Sequence, residues 1–276
     1  MKSVNSISGG KTSAYMCVNY PADYEIFALI TINDKNCTPK DKAFVKFVSD
    51  KIGKDFIATA ESDLTLRAVI DLEQKIGKEI IWLNRITFDN VSMVRINSSW
   101  LPSALRRACT IEMKIMAIWD WWYKTIGEKV KMGIGYRYDE LERAERFSNS
   151  YKGIVGKSKN GRNIWKEIEW REGYFPLIEN KIEHYAVKQW ADKSGIVFPS
   201  DSNCVGCFHK SVQQLRKNWD EHPEKMQWFA NQENQKGKKK GTWKQQISYE
   251  QIKKVGLQQD FNFGEGTGCQ GGFCTD

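Results

Sequence analysis

The sequence predicts an α/β fold, a parallel sheet flanked by helices. Three observations carry this. Short apolar runs alternate with stretches of helical periodicity through the first 76 residues. A long amphipathic stretch near residue 110 leads into another apolar run. The first apolar run is followed at once by two glycines and a helical segment. Strands alternating with helices at this spacing read as βαβ units, which build parallel sheets with helices on their faces.

Taken in order, residues 4–7 read as a short buried strand and residues 12–19 as a helix. EIFALITIN (25–33) reads as a second strand, and residues 40–52 as a helix with Phe44, Val45 and Val48 on its apolar side. A third strand is predicted over 55–60, followed by a helix from about 62 to 76. Residues 79–100 are ambiguous. In LPSALRRACTIEMKIMAIWDWWYKTIG, Leu105, Ala108, Ile111, Ile115, Ile118, Trp122 and Ile126 step by three or four residues. That spacing predicts an amphipathic helix opened by Pro102. Residues 130–136 read as a strand, 146–171 as an excursion with a polar, glycine-containing tip, and 183–194 as a helix. Two parts are expected: a main α/β domain over 1–230 and a small, basic, Gly- and Cys-containing appendage over 231–276, partly flexible in isolation.

The chain has 276 residues, enough to bury a sizeable core. No apolar run reaches the length of a membrane span, and MKSVNSISGG has no signal-peptide apolar stretch, which points to the cytoplasm and no membrane partner. Seven cysteines in such a chain favour metal, cluster or redox chemistry over disulfides. The net charge of +8 suits a phosphate-bearing partner, nucleotide or nucleic acid.

The segment Ser8-Gly9-Gly10-Lys11-Thr12-Ser13 lies between a strand and a helix. Its glycines permit a sharp turn and close backbone approach, and the helix start offers N–H groups and a positive dipole end to phosphate. Lys11 adds charge, and Ser8, Thr12 and Ser13 add hydroxyls. The alternative is a tight turn with an N-cap. The loop is too short before its lysine to be a Walker motif.

SGGKTS resembles the PP-loop of the ATP pyrophosphatase and PAPS reductase superfamily, usually SGGxDS. RRACTIEMK (106–114), GIGYRYDELERA (133–144), FPLIENKIEHYAVKQWADKSGI (175–196) and NCVGCFHK (203–210) resemble further segments of that family, in the same order. The resemblance covers about residues 1–230 and is strongest to a PAPS reductase-like branch common in phage and bacterial genomes. Thr12 stands where the family has Asp, and the tail lacks the Glu-Cys-Gly-x-His type ending of thioredoxin-dependent reductases. The resemblance implies an adenine nucleotide alpha-hydrolase-like, Rossmann-like fold with the nucleotide at the carboxyl ends of the strands. It also implies an enzyme that either reduces a sulfonucleotide or uses ATP, with Mg²⁺, for sulfur transfer. Ser8 to Ser13 would bind the nucleotide, and Lys11, Arg137 and Asp139 would act on it. The alternative for Arg137, Asp139 and Glu140 is a surface network of arginine and carboxylates.

The resemblance also gathers Cys109, Cys204 and Cys207 near the nucleotide. Three thiolates can hold a [4Fe–4S] cluster with one open iron, and a fourth ligand from Cys37, Cys269 or Cys274 would close it. Zinc is the rival metal, with His209 as fourth ligand, and packing thiols are the third reading. Cys17 reads as a core thiol. Trp119, Trp121 and Trp122 suit a core or interface better than base stacking. KGKKKGTWK (236–244) reads as a solvated charge run or a phosphate-binding one. The partners expected are a nucleotide, a thiol or sulfur donor and a nucleic-acid or metabolite acceptor, with a homodimer as the candidate assembly. The rival function is a nucleic-acid-binding accessory protein on a degenerate nucleotide-binding fold.

Overall fold

A computed structural model describes the chain except for residues 90–100, 104–106, 234–240 and 258–276. Leu105, Arg106, the basic run 236–240, Cys269 and Cys274 therefore lie outside the described residues. Five parallel strands form the central sheet in the order β5-β2-β1-β6-β9. They are β1 (Ser3–Ile7), β2 (Tyr24–Ala28), β5 (Ile80–Leu83), β6 (Val130–Gly133) and β9 (Arg171–Tyr174). The α/β expectation, a parallel sheet flanked by helices, is what the molecule has.

Strand alternation explains why both faces are covered. In β2, Phe27 and the following Leu29 face one side, where they pack with Ile7, Val69, Leu72, Ile80 and Trp82. Ile26 and Ala28 face the other, with Val4, Trp119, Trp122, Val130, Met132 and Trp170. A sheet buried on both faces needs near-continuous apolar strands, and YEIFALI is such a run. The first layer is made by α1 (Lys11–Asn19), α2 (Lys42–Ile52) and α3 (Asp63–Ile76). Their starts follow cap chemistry: Asp41 Oδ1 accepts from Phe44 N–H at 3.1 Å, and Ser62 Oγ from Leu64 N–H at 3.3 Å.

The run 25–33 is divided. After β2, Thr31–Ile32 forms a separate β3, antiparallel to β4 (Ala58–Thr59), outside the main sheet. The strand expected over 55–60 is thus a two-residue partner of β3. The second layer is made by α4 (Met116–Thr125), continuous with a π-helical stretch over Thr110–Ile115. The widened turn shifts the register, so Met113 is buried while Ile111, expected on the apolar face, is 39% exposed. Residues 102 and 107 are outside helix, and the helix that leads into this stretch runs from residue 108.

The excursion is an antiparallel ribbon of β7 (Ser150–Lys157) and β8 (Asn163–Glu169), reached through α5 (Leu141–Glu145). It returns into β9, then α6 (Pro176–Glu179) and α7 (His184–Lys193). Among the described residues three further helices follow: α8 (Val212–Glu221), α9 (Pro223–Glu233) and α10 (Tyr249–Lys253).

The expected boundary at residue 231 falls inside α9. Residues 241–257 do not form a detached appendage, because Trp243, Tyr249 and Ile252 are buried in one cluster with Ile32, Ala58, Met113, Phe208, Trp219 and Phe229. Glu233 pins them: its two carboxylate oxygens accept from Trp243 N–H at 3.0 Å and Tyr249 N–H at 2.8 Å. The aromatic surface gained by this docking explains why a polar-looking segment is ordered. No helix among the described residues is long and apolar enough to cross a membrane.

Candidate functional site

The strand order reverses at β1. From it the chain moves one way to β2 and β5, and the other way to β6 and β9. In open parallel sheets the crevice beyond the carboxyl ends at such a point is where ligands bind. Here the loop after β1 and the loop after β6 flank a cleft of about 840 Å³, within the usual size range of ligand pockets. Ser8, Gly10, Lys11, Thr12, Ser13, Arg137 and Asp139 line it, so the structure brings together the residues singled out in these two segments, with Gly9 beneath them.

The loop has a defined shape. Gly9 sits at φ +73°, and a Cβ there would lie 2.5 Å from Thr65 Cγ2 and 2.9 Å from the Thr65 carbonyl oxygen. Only glycine satisfies both the backbone angle and the close approach to α3. Gly10 is the N-cap of α1 and has no side chain to occupy the free N–H groups of the first turn. A Cβ on Gly10 would stand 2.8 Å from Ser202 Oγ, so the loop is also closed against residues 201–203. Ser13 holds it from within: its Oγ accepts from Ser8 N–H at 3.1 Å and donates to the Gly10 carbonyl at 3.1 Å.

Across the cleft, Arg137 donates from Nη1 to Thr12 Oγ1 at 3.3 Å and grips Asp139 through Nε at 3.0 Å and Nη2 at 3.1 Å. Glu140 accepts from the Arg137 backbone N–H at 3.2 Å and pairs with Arg143 at 2.6 Å. The arginine–carboxylate network and the cleft wall are therefore the same structure. Burial works against the Asp139 carboxylate, but Arg137 and the N–H groups of Asp139 and His184 hold its pKa below the ordinary value. The carboxylate is anionic at neutral pH and fixes the guanidinium in place.

The cysteines lie beside this cleft. Asn203, a lining residue, precedes Cys204, and Lys114, also lining, reaches Glu61 at 3.3 Å. Glu61 is fully buried at the start of α3, and burial pushes its carboxyl pKa up against the opposing charges of Lys114 and Lys225. Burial pushes the Cys204 thiol well up; Glu61 adds to the shift, Lys114 opposes it, and Cys207 and Cys109 lie within electrostatic reach. Burial likewise raises Cys109, with the Thr110 N–H and Lys114 opposing. The CxxC turn closes with Cys207 N–H donating to the Cys204 carbonyl at 3.0 Å. It is held from behind: Tyr249 O–H donates to the Gly206 carbonyl at 2.9 Å, and Lys244 Nζ to the Phe208 and Lys210 carbonyls at 3.1 and 2.7 Å.

Three neighbouring thiols beside a basic cleft suit zinc or an iron–sulfur cluster in donor type and position. Among the described residues, however, no three Cys, His, Asp or Glu side chains stand in ligand arrangement around one point.

Sequence reasoning missed Glu61, which its place at the end of the apolar run FIATA could have flagged, and Ser202, which carries no motif signal. Lys114 lies between the thiols and the cleft: it lines the cleft and pairs with Glu61, within electrostatic reach of Cys204 and Cys109. Trp119 and Trp122 are buried, as a core reading requires, and Trp121 is half-buried. No family model matches the chain, and no curated protein matches it.

Proposed function

We propose that this chain is an enzyme that holds the phosphates of an adenine nucleotide in the Ser8–Ser13 loop and uses it in sulfur chemistry. One observation carries the reading: the loop after β1 and Arg137 after β6 converge on one cleft at the point where the strand order reverses, joined by the Arg137–Thr12 hydrogen bond. The ordered motifs that resemble the PP-loop superfamily supply the nucleotide's identity. Free N–H groups of Lys11, Thr12 and Ser13 at the helix start receive phosphate oxygens, and Lys11 neutralises charge that develops on them. Arg137, held by Asp139, is oriented before the ligand arrives.

In the sulfur-transfer form, which the adjoining thiols favour, a substrate oxygen attacks the α-phosphorus of ATP and pyrophosphate leaves. A sulfur nucleophile then displaces AMP, taking the place of that oxygen. Cys109, Cys204 and Cys207 are the residues that would hold a cluster or zinc. A bound iron–sulfur cluster would supply a sulfide carrier beside the activated substrate. In the reductive form a sulfonucleotide occupies the same loop, an external thiol attacks its sulfur and displaces the nucleotide, and a second thiol attacks the S-sulfonated thiol, releasing sulfite and leaving a disulfide.

Equilibrium titration with ATP tests the site. Gly10→Val, which drives a side chain toward Ser202, and Lys11→Ala should both weaken binding while thermal unfolding stays cooperative. Unchanged ATP affinity in both folded variants would overturn the proposal. Pyrophosphate release from ATP identifies the transfer form, and sulfite release from a sulfonucleotide the reductive one.

A further inference from the structure

The β7–β8 ribbon has no part in the nucleotide cleft, and its surface is unusual. From Lys157 to Lys166 it carries Lys157, Lys159, Arg162 and Lys166 with no carboxylate between them, and all four are exposed. Among the described residues, none of the four has a carboxylate within ion-pair distance. Within this basic tip Trp165 is 50% exposed and Ile164 44% exposed.

The register sorts these groups by face. Lys157 pairs with Asn163, Ile154 with Trp165, and Lys152 with Glu167. Side chains alternate across a strand, so Lys152, Glu167, Trp165 and Lys157 share one face, with Lys157 on the tip side of the indole and Lys152 opposite Glu167 on its root side. The opposite face is anchored at the ribbon's root, where Tyr151 packs on Trp119 of α4 at a ring separation of 5.2 Å. The acidic residues are at that root: Glu167 accepts from Ser150 Oγ at 2.9 Å, and Glu169 pairs with Lys129 at 2.6 Å. Charge therefore runs from mixed at the base to purely positive at the tip.

Lysines on an exposed ribbon edge can serve simply to prevent strand pairing between molecules. That role explains the cations but not a half-exposed tryptophan set among them, which would itself promote association. An exposed indole beside a carboxylate-free cluster of cations is an arrangement that takes a base on its face and the adjoining phosphates on the cations. We infer that the β7–β8 ribbon is a docking arm for a single-stranded polynucleotide, with Trp165 stacking a base and Lys152, Lys157, Lys159 and Arg162 contacting the backbone. The inference is independent of the nucleotide reading of the cleft. Stacking and charge do not read base identity, so binding is expected to be sequence-tolerant and steeply salt-dependent.

The test is fluorescence anisotropy of a labelled 20-nucleotide oligothymidylate, titrated with the full chain over a range of salt concentrations. Trp165→Ala should weaken binding by roughly five- to a hundredfold, and Trp165→Phe should recover part of the loss. Replacing Lys157, Lys159 and Arg162 together by Glu should weaken binding further. Removing their three contacts should also reduce the slope of log K against log salt by about 2, at roughly 0.7 per phosphate. ATP titration of the same variants should be unchanged, which separates loss of the arm from loss of the cleft. Retained oligonucleotide affinity in both variants would overturn the inference, as would no binding by the unmodified chain. So would tighter binding of a blunt duplex that ignores Trp165→Ala.

Discussion

Arg137 and Thr12, 125 residues apart, are joined by a 3.3 Å hydrogen bond from the guanidinium to the hydroxyl. The bond ties the loop after β6 to the first turn of α1, and it fixes the width of the cleft between neighbouring strands. It also sets a cation beside the Thr12 hydroxyl at the start of α1. Arg137→Ala should therefore weaken ATP binding by about 1.5–3 kcal/mol, the range for a hydrogen bond to a charged group. The fold should persist, since the residue lies at the strand ends. Calorimetric titration with ATP reads the first effect and a thermal melt the second.

Gly9→Ala places a methyl group against the Thr65 backbone and forces a non-glycine residue into the left-handed region. The backbone term alone costs about 1–2 kcal/mol, and the clash with α3 adds to it. The expected result is a lower melting temperature, with weakened ATP binding at temperatures where the variant is still folded.

Glu233→Ala removes the acceptor for two buried backbone N–H groups, those of Trp243 and Tyr249. Each unsatisfied group costs about 1–3 kcal/mol. Amide exchange should accelerate over residues 242–253 and, because Lys244 and Tyr249 brace it, over the CxxC turn. Hydrogen exchange read by mass spectrometry resolves both regions.

Glu25 is buried in β2, and its carboxyl pKa is raised chiefly by burial, against the hydrogen bonds it accepts. The folded state then binds the proton more tightly than the unfolded state. Its contribution is full below the unfolded pKa, about 4.3, and is lost as pH rises through the higher folded value. Glu25→Gln keeps an acceptor for Asn5 Nδ2 and Ala22 N–H, now at 3.2 and 2.9 Å. Its stability should fall less than that of the unmodified chain across this window, as measured by denaturant unfolding at several pH values.

Cys17 and Cys37 are buried, and burial drives both thiols upward, that of Cys37 to about 12. At pH 8 neither offers a thiolate, which is the reactive form. Both should resist iodoacetamide in the native chain and react on unfolding, as peptide mass spectrometry will show.

The legible parts of the molecule were those where one local signal had one structural meaning. The two glycines between an apolar run and a helix marked the β1–α1 loop, and the polar tip around Gly161 marked the ribbon. Where a signal was shared, the reading ran over. The unbroken apolar run 25–33 contains no residue to announce that Thr31 and Ile32 leave the sheet to pair with Ala58 and Thr59. Periodicity of 3.6 cannot see a π-helical turn, so it placed Ile111 inside and overlooked Met113. In the candidate site, Arg137 and the loop were within reach of motif reasoning. Glu61, Ser202 and the new role of Lys114 arise from chain segments that meet only in three dimensions. Residues 241–257 were misjudged because their lysines and glutamines outnumber the three buried side chains that hold them.

The brace behind the CxxC turn has a consequence for biosynthesis. Cys204 and Cys207 are synthesised some forty residues before the Lys244 and Tyr249 contacts that support their loop. The central sheet needs nothing beyond β9 for its strand pairing, so a nascent chain can assemble the β1–α1 loop while its thiol turn is still unsupported. Completion of that turn waits for α10 to leave the ribosome, so a chain broken off after residue 233 would keep the sheet and lose the brace.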